Sequence, residues 1–273
     1  MMANLLRKSK ISSNLCPVIY HYSNIGSTNH VAKFLIIEKN KTGFVVVADV
    51  QTAGYGQKER FWESPKGGLW FSVAIDPKIP PKKIGIVPIL VALSVAKVLE
   101  SYEIETKLKW PNDILSNMKK IGGIIVEGNI TGTKIIENLV IGIGLNINNT
   151  LDQYSPSLRE VITSTLEILG YEINLNELLL AILTELELGF RKIRGLGPDD
   201  ILSEWKKRDI LIGKQTSILL NDVIHRGLVK DITMHGQLVL EKNDGTLIKF
   251  SSGEVSIINN AALTKLGGKI NSL

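Results

Sequence analysis

Residues 107–127 read KLKWPNDILSNMKKIGGIIVE. Leu108 and Trp110 alternate with Lys107 and Lys109, the period-two pattern of a half-buried strand. Pro111 brings no backbone donor and bends the chain, so Asn112 and Asp113 fall at a turn. Beyond the polar stretch Ser116 to Met118, Lys119 and Lys120 precede Ile121, two glycines and the β-branched run Ile124 to Val126, which reads as a buried strand. Gly122 and Gly123 remove side chains where that strand begins, which lets a ligand or another backbone approach closely. A lysine beside such a gap reaches a bound anion. Lys-Lys-Ile-Gly-Gly also occurs at the mouth of ordinary strands, so this pattern alone gives Lys120 no function.

Working outward, 1–17 reads as a poorly ordered arm ending at Pro17, and 18–22 as a short strand. The polar turn SNIGSTN, 23–29, precedes a helix over 31–38, which Ser27, Thr28 or Asn29 would cap. The run GFVVVADV, 43–50, is a buried strand. QTAGYGQKERFW, 51–62, reads as a mobile loop able to present backbone N–H groups to an anion, with Trp62 packed on something. Residues 67–76 form a strand with both faces covered, and 84–102 a core helix after Pro80-Pro81. The strand 134–148 carries Gly142 and Gly144, which weaken it and mark close approach of a ligand. Helices follow at 157–169, 175–194 and 198–207. Beyond Asp209, short β runs separated by Asn221-Asp222, His235-Gly236 and Asp244-Gly245 indicate a small all-β barrel.

The 273 residues suffice for one large domain and a small one. With 44% hydrophobic and 22% charged residues the composition is globular, and no apolar run approaches the roughly 20 residues of a bilayer span. The N-terminus lacks the long apolar region of a signal peptide, so no membrane association and a cytoplasmic location are expected. A single cysteine, Cys16, excludes an internal disulfide framework and a multi-cysteine zinc site. The net charge of +5 suits an acidic partner or nucleotide phosphates as well as a plain solvated surface, and no basic run with interleaved aromatics suggests DNA.

KWPND, followed at this spacing by KxxGIxVE, resembles the central signature of the biotin protein ligases, which attach biotin to lysines of carrier proteins. Ser27-Thr28-Asn29, ESPKGGLWFSV at 63–73, GIGLNIN at 142–148 and Gly253-Glu254-Val255-Ser256 also match that family, so the resemblance runs from about 18 to 257. It implies an α+β fold. A mixed sheet with packed helices, of the class II aminoacyl-tRNA synthetase-like biotin/lipoate ligase type, would span 18–209, and a small SH3-like β-barrel with a tail would span 210–273. The implied reaction uses biotin, ATP and Mg2+ to make biotinyl-5'-AMP, which a lysine of a biotin carboxyl carrier protein then attacks. Lys120 falls on the family's catalytic lysine. Ser27, Thr28, Asn29, Gln51, Gly54, Tyr55, Gly56, Gly122 and Gly123 fall with it on the biotin side. Lys58, Arg60, Trp62, Lys109, Asn112, Asp113 and Asn146 fall on the adenylate side, with Asp113 acting through magnesium or in the amine step. No protein ligand to a metal is assigned.

The resemblance also implies a homodimer through the catalytic sheet, and 17 residues ahead of the catalytic domain suggest a form without the DNA-binding domain that some relatives carry. Departures from the family lie at Gly26, where an aspartate is common, and in the loop. There Tyr55 and Gln57 stand where arginines are common, and Glu59 adds a negative charge. Two other readings stay open: a lipoate or octanoate ligase or transferase of the same fold, against which KWPND and the Gln51 loop argue, and a non-enzymatic biotin or nucleotide sensor, against which Lys120 argues.

Overall fold

The computed structural model describes residues 5–10, 13, 15–131, 135–195 and 197–258. An eight-stranded sheet is built from β1 (Leu5–Lys10), β2 (Val18–Ile25), β3 (Phe44–Gln51), β4 (Leu69–Ile75), β5 (Lys107–Lys109), β6 (Asp113–Ser116), β7 (Lys119–Thr131) and β8 (Ile135–Leu145), in the order β1-β2-β3-β4-β8-β7-β6-β5. Only β2 and β3 run parallel, because the helix α1 (Thr28–Lys39) carries the chain back between them. The sheet is therefore mixed, as the α+β reading requires.

The alternation of β4 buries both its faces. On one side α1 lays Ala32 and Leu35 against β3 and β4. On the other lies α2 (Val87–Glu100), apolar nearly all round because it is sandwiched between β7 and a later helix. That helix follows two short ones, α3 (Pro156–Arg159) and α4 (Thr165–Leu169), and is α5 (Leu175–Gly195), whose buried stripe Leu178, Leu179, Ile182, Leu186, Phe190 and Ile193 keeps helical spacing. The last helix, α6 (Asp199–Lys206), buries Trp205.

A five-stranded antiparallel sheet follows, from β9 (Gln215–Leu220), β10 (Val223–Ile232), β11 (Leu238–Glu241), β12 (Leu247–Phe250) and β13 (Glu254–Ile257), in the order β12-β11-β10-β9-β13. Its apolar residues Ile218, Val229, Leu238 and Phe250 are continuous with the core of the larger sheet. The end of the expected C-terminal segment, 259–273, lies outside the described residues. The chain passes between the two sheets through Asp209, whose carboxylate accepts from the backbone of Leu211 and Ile212 and from the Trp205 indole. Next to it Arg208, largely buried, makes a two-pronged ion pair with Glu100 at 2.7 and 2.6 Å.

Three expectations are corrected. Residues 5–10 are no loose arm but β1, an edge strand paired with β2, and Cys16 is fully buried in the main core. The helix expected over 157–169 is broken between α3 and α4, because Lys120 N–H donates to the Val161 carbonyl and Thr163 N–H to that of Lys120. Sheet-like pairing there overrides the helical spacing. The 51–62 loop is a folded-back arch, with bridges Gln51 to Ser64 and Tyr55 to Phe61 and a single 3-10 turn at Gln57–Glu59. Lys58 and Glu59 turn that corner at φ near +56°, a conformation unusual for side-chain-bearing residues.

Candidate active site

A cavity of about 610 Å³ opens where β7 and β8 meet the arch. Its floor is the glycine-bearing part of those strands. A Cβ on Gly142 would come within 2.4 Å of Asn29 Oδ1, and one on Gly144 within 2.8 Å of Trp62 Nε1. The close approach expected at these glycines is thus made by the protein's own Asn29 and Trp62. The Trp62 ring also lies on Gly123, where a Cβ would meet it at 3.2 Å, and its indole N–H is buried with no acceptor.

Lys120 stands beside this ring, its Nζ 5.0 Å from the ring centre and 2.5 Å from Asp113 Oδ1. The sequence sets up this pair through a hairpin with an irregular register. β6 faces β7 with Asp113 opposite Gly123, and a shift between Ile114 and Leu115 puts Lys120 opposite Leu115. Asn112 fixes the corner, donating from Nδ2 to the Ile124 carbonyl at 2.6 Å. The bonds to 161–163 that break the expected helix clamp the Lys120 backbone from the other side.

The far end of the cavity is polar. Gln51 Oε1 accepts from Thr28 N–H at 2.8 Å and from Thr28 Oγ1 at 3.0 Å, and Gln51 Nε2 donates to Ser64 Oγ at 2.9 Å. Ser27 occupies the N-cap position of α1 without making a side-chain cap bond, and it lines the cavity instead. Across the cavity, Asn146 spends its amide inside the protein. Its Nδ2 donates to the Thr163 carbonyl and its Oδ1 accepts from Tyr154. Burial, with Glu63 as the second cause, pushes the Tyr154 hydroxyl above its ordinary range, so it remains a donor there.

The smaller sheet closes the mouth. Gly253 to Ile257 line the cavity, and Glu254 pairs with Arg60 of the arch. The bond from Arg60, reinforced by Lys58 and Lys109, holds the Glu254 carboxyl below the usual range.

Comparison with known proteins decides the family. Residues 22–146 match the Biotin/lipoate A/B protein ligase family and residues 211–257 the Biotin protein ligase C terminal domain. The Bifunctional ligase/repressor BirA of Bacillus subtilis is 32% identical over 242 residues, covering 88% of this chain and 74% of the relative. The chain belongs to the biotin protein ligase family. The Biotin--[acetyl-CoA-carboxylase] ligase of Mycobacterium tuberculosis is 28% identical, with 78% of each chain covered. Among solved structures, the biotin protein ligase from Aquifex aeolicus in complex with biotin and ATP aligns with a TM-score of 0.75 at 26% identity, covering 89% of this chain and 99% of that one.

Within this ligase, most residues singled out from the sequence border this cavity: Ser27, Thr28, Asn29, Gln51, Tyr55, Gly56, Arg60, Trp62, Lys109, Asn112, Asp113, Lys120, Gly123 and Asn146. Three do not. Gly122 alternates with Gly123, so its missing Cβ points away, toward Leu145 and Ile114. Gly54 serves the arch, since a Cβ there would meet the Trp62 carbonyl at 2.6 Å and Ser64 Oγ at 2.8 Å. Lys58 sits exposed at the arch corner. The sequence reading missed Glu254, Tyr154 and the carboxylate at the end of its own motif, Glu127. A glutamate directly after the apolar run Ile124 to Val126 was the available signal, because a charge in such a place needs a partner.

Proposed function

We propose that the cavity binds biotin at its Ser27, Thr28, Asn29 and Gln51 end and the nucleotide on the Lys109, Asn112 and Arg60 side, with Lys120 between them. The protein is an ATP-dependent biotin protein ligase. The observation that carries this reading is the Lys120–Asp113 pair at the junction of a polar recess and a cationic rim, under a tryptophan-bearing arch. A biotin carboxylate oxygen attacks the α-phosphorus of MgATP, the bond to the bridging oxygen breaks, and pyrophosphate leaves. The lysine amine of a biotin carboxyl carrier protein then attacks the acyl carbon, AMP departs, and the amine proton is given up. Lys120 supplies a compact positive charge where the carboxylate and the α-phosphate meet, and Asp113 aims it. Magnesium enters with ATP. Biotin-dependent exchange of pyrophosphate into ATP tests the reading, and exchange driven by lipoate instead would overturn it.

The arch would act as a lid, because an acyl-adenylate survives only where water is kept out. Closure draws on Trp62 packing and on the Arg60–Glu254 bond, with Gln57 and Glu59 contributing no cation. Trp62→Ala should speed release of biotinyl-adenylate several-fold, and more than Lys58→Ala does. Gln57→Arg with Glu59→Gly should slow it, and glycine also suits the left-handed backbone at 59. Rapid mixing with the carrier omitted reads the release, and equal rates in all variants would deny the arch any gating role.

Two copies would pair through the edge of the larger sheet at β1, whose only strand partner among the described residues is β2. Sedimentation at micromolar concentration should give twice the 30.1 kDa chain mass, and a monomer throughout would refute the pairing. No helix among the described residues is long and apolar enough to cross a membrane. We take the cytoplasm, where ATP and the carrier occur, as the place of action.

A further inference from the structure

Behind the polar end of the cavity lies a group of side chains that ligand recognition has not used. Glu127 of β7 accepts three bonds. Lys33 Nζ donates to Oε1 at 2.5 Å, Tyr55 Oη to Oε2 at 2.8 Å, and Asn29 Nδ2 to Oε2 at 2.7 Å. Lys33 also stands 3.2 Å from Tyr55 Oη, and His30 stacks on the Tyr55 ring with centres 4.8 Å apart. Neither Glu127 nor Lys33 lines the cavity, whereas Asn29 and Tyr55 do.

The direction of these bonds matters. Burial by itself would raise the Glu127 carboxyl, but the bonds from Lys33, Tyr55 and Asn29 outweigh it and hold it below the usual range. An ionised carboxylate only accepts, so the Asn29 group facing it must be the NH2. Asn29 Oδ1 is then turned to Ser72, whose Oγ donates to it at 2.5 Å and lies 2.6 Å from Thr28 Oγ1. Thr28, its hydroxyl free to meet Ser72, continues the chain through its backbone N–H, which donates to Gln51 Oε1 at 2.8 Å, and Gln51 leads on to Ser64 and the Trp62 carbonyl. One connected set of bonds thus runs from Lys33 to both limbs of the arch, passing through three of the four residues of the polar recess.

We propose that Glu127 is a positioning residue of the ligase reaction: it fixes the orientation of the Asn29 amide in the cavity wall, NH2 toward β7 and oxygen toward Ser72, and ties the arch, through Tyr55, to the recess that holds biotin. Lys33 and Tyr55 act on it as a pair. Lys33 brings the charge and Tyr55 the donor on the arch that one arginine at position 55 would bring together. A neutral tyrosine alone would leave a half-buried carboxylate without a counter-charge.

The inference rests on the cavity being the biotin site, and the test separates the two. Biotin-dependent pyrophosphate exchange is measured for the wild type, Glu127→Gln, Lys33→Met and the double variant Lys33→Met with Tyr55→Arg. Absence of exchange in the folded wild type would remove the functional reading itself. Given that exchange, Glu127→Gln should raise KM for biotin tenfold or more, leaving KM for ATP within twofold and kcat within threefold. An amide at 127 can present its own NH2 to Asn29 and so permit the wrong amide orientation. Lys33→Met should raise KM for biotin about fivefold, and adding Tyr55→Arg should recover most of that loss, which no general weakening of the fold would do. A KM for biotin in Glu127→Gln within twofold of wild type, an equal rise in KM for ATP, or a double variant no better than Lys33→Met would each overturn the proposal. Should Glu127→Gln fail to fold, the comparison of Lys33→Met with the double variant decides alone.

Discussion

Lys120→Ala should lower biotin-dependent pyrophosphate exchange by two to three orders of magnitude while leaving biotin affinity within a few-fold. The ammonium is held at the junction of the polar recess and the cationic rim by Asp113 at 2.5 Å. The charge it meets there is greatest in the transition state, when the carboxylate oxygen and the leaving pyrophosphate share the α-phosphorus. Interactions stronger in the transition state than in the ground state act on the rate and not on the binding. Loss of one such preorganised donor costs about 2.7 to 4 kcal/mol in acyl-transfer sites, which sets the range. Lys120→Arg should recover little, since a planar fork cannot replace a compact charge wedged beside the Trp62 ring. Unfolding should stay cooperative in both variants, because the backbone bonds from Lys120 to Val161 and Thr163 remain, with a small loss in Lys120→Ala where Asp113 is left without its partner. Exchange within threefold of wild type in Lys120→Ala would remove this lysine from the chemistry.

That Lys120 faces a cavity was legible because its surroundings are local: the strand, the turn and the double glycine follow within twenty-one residues. The strands with β-branched runs and the stripe of α5 were legible for the same reason. What the sequence hid were pairings over long separations. β1 reads as an arm because LLRKSK is exposed almost throughout, with no buried side to give an alternation, and only β2 makes it a strand. The helix expected over 157–169 fails through backbone bonds to Lys120, some forty residues earlier. Ser72 looks like filler in a buried strand until Asn29 and Thr28, forty-three and forty-four residues away, turn it into a relay. Likewise Lys33 and Glu127 give no hint of each other at a separation of 94 residues. The glycines of β8 did signal close approach, but periodicity has no way to say that the approaching groups are Asn29 and Trp62.

The other large effect should come from the place where the smaller sheet touches the larger domain backbone to backbone. The tip of the β10–β11 hairpin puts Gly236 at φ +76°, and a Cβ there would come within 2.0 Å of the Gly85 carbonyl oxygen. The same tip accepts the indole N–H of the buried Trp110 at 2.9 Å, on the Gly236 carbonyl. Gly236→Val must therefore absorb two costs. A left-handed backbone costs a non-glycine residue about 1 to 3 kcal/mol. Forcing packed elements apart costs about 1 to 3 kcal/mol more. The sum, about 2 to 6 kcal/mol, is a large share of the about 5 to 15 kcal/mol that holds an ordinary domain folded. Gly245 separates the two contributions, since it sits at φ +82° in a hairpin of the same sheet with nothing within 4 Å of a Cβ. Gly245→Ala should lose only the backbone part, about 1 kcal/mol, whereas Gly236→Ala should lose clearly more. The damage at Gly236 should also reach the chemistry. Trp110 immediately precedes the turn that carries Asn112 and Asp113, and Gly253 to Ile257 of the displaced sheet form a cavity wall. Urea unfolding should show a lower midpoint at unchanged slope for both alanine variants, and exchange activity should fall in Gly236→Ala while Gly245→Ala keeps it. Equal midpoints for Gly236→Ala and Gly245→Ala, or full activity in Gly236→Ala, would mean that the smaller sheet rests on the catalytic domain without holding its active site in shape.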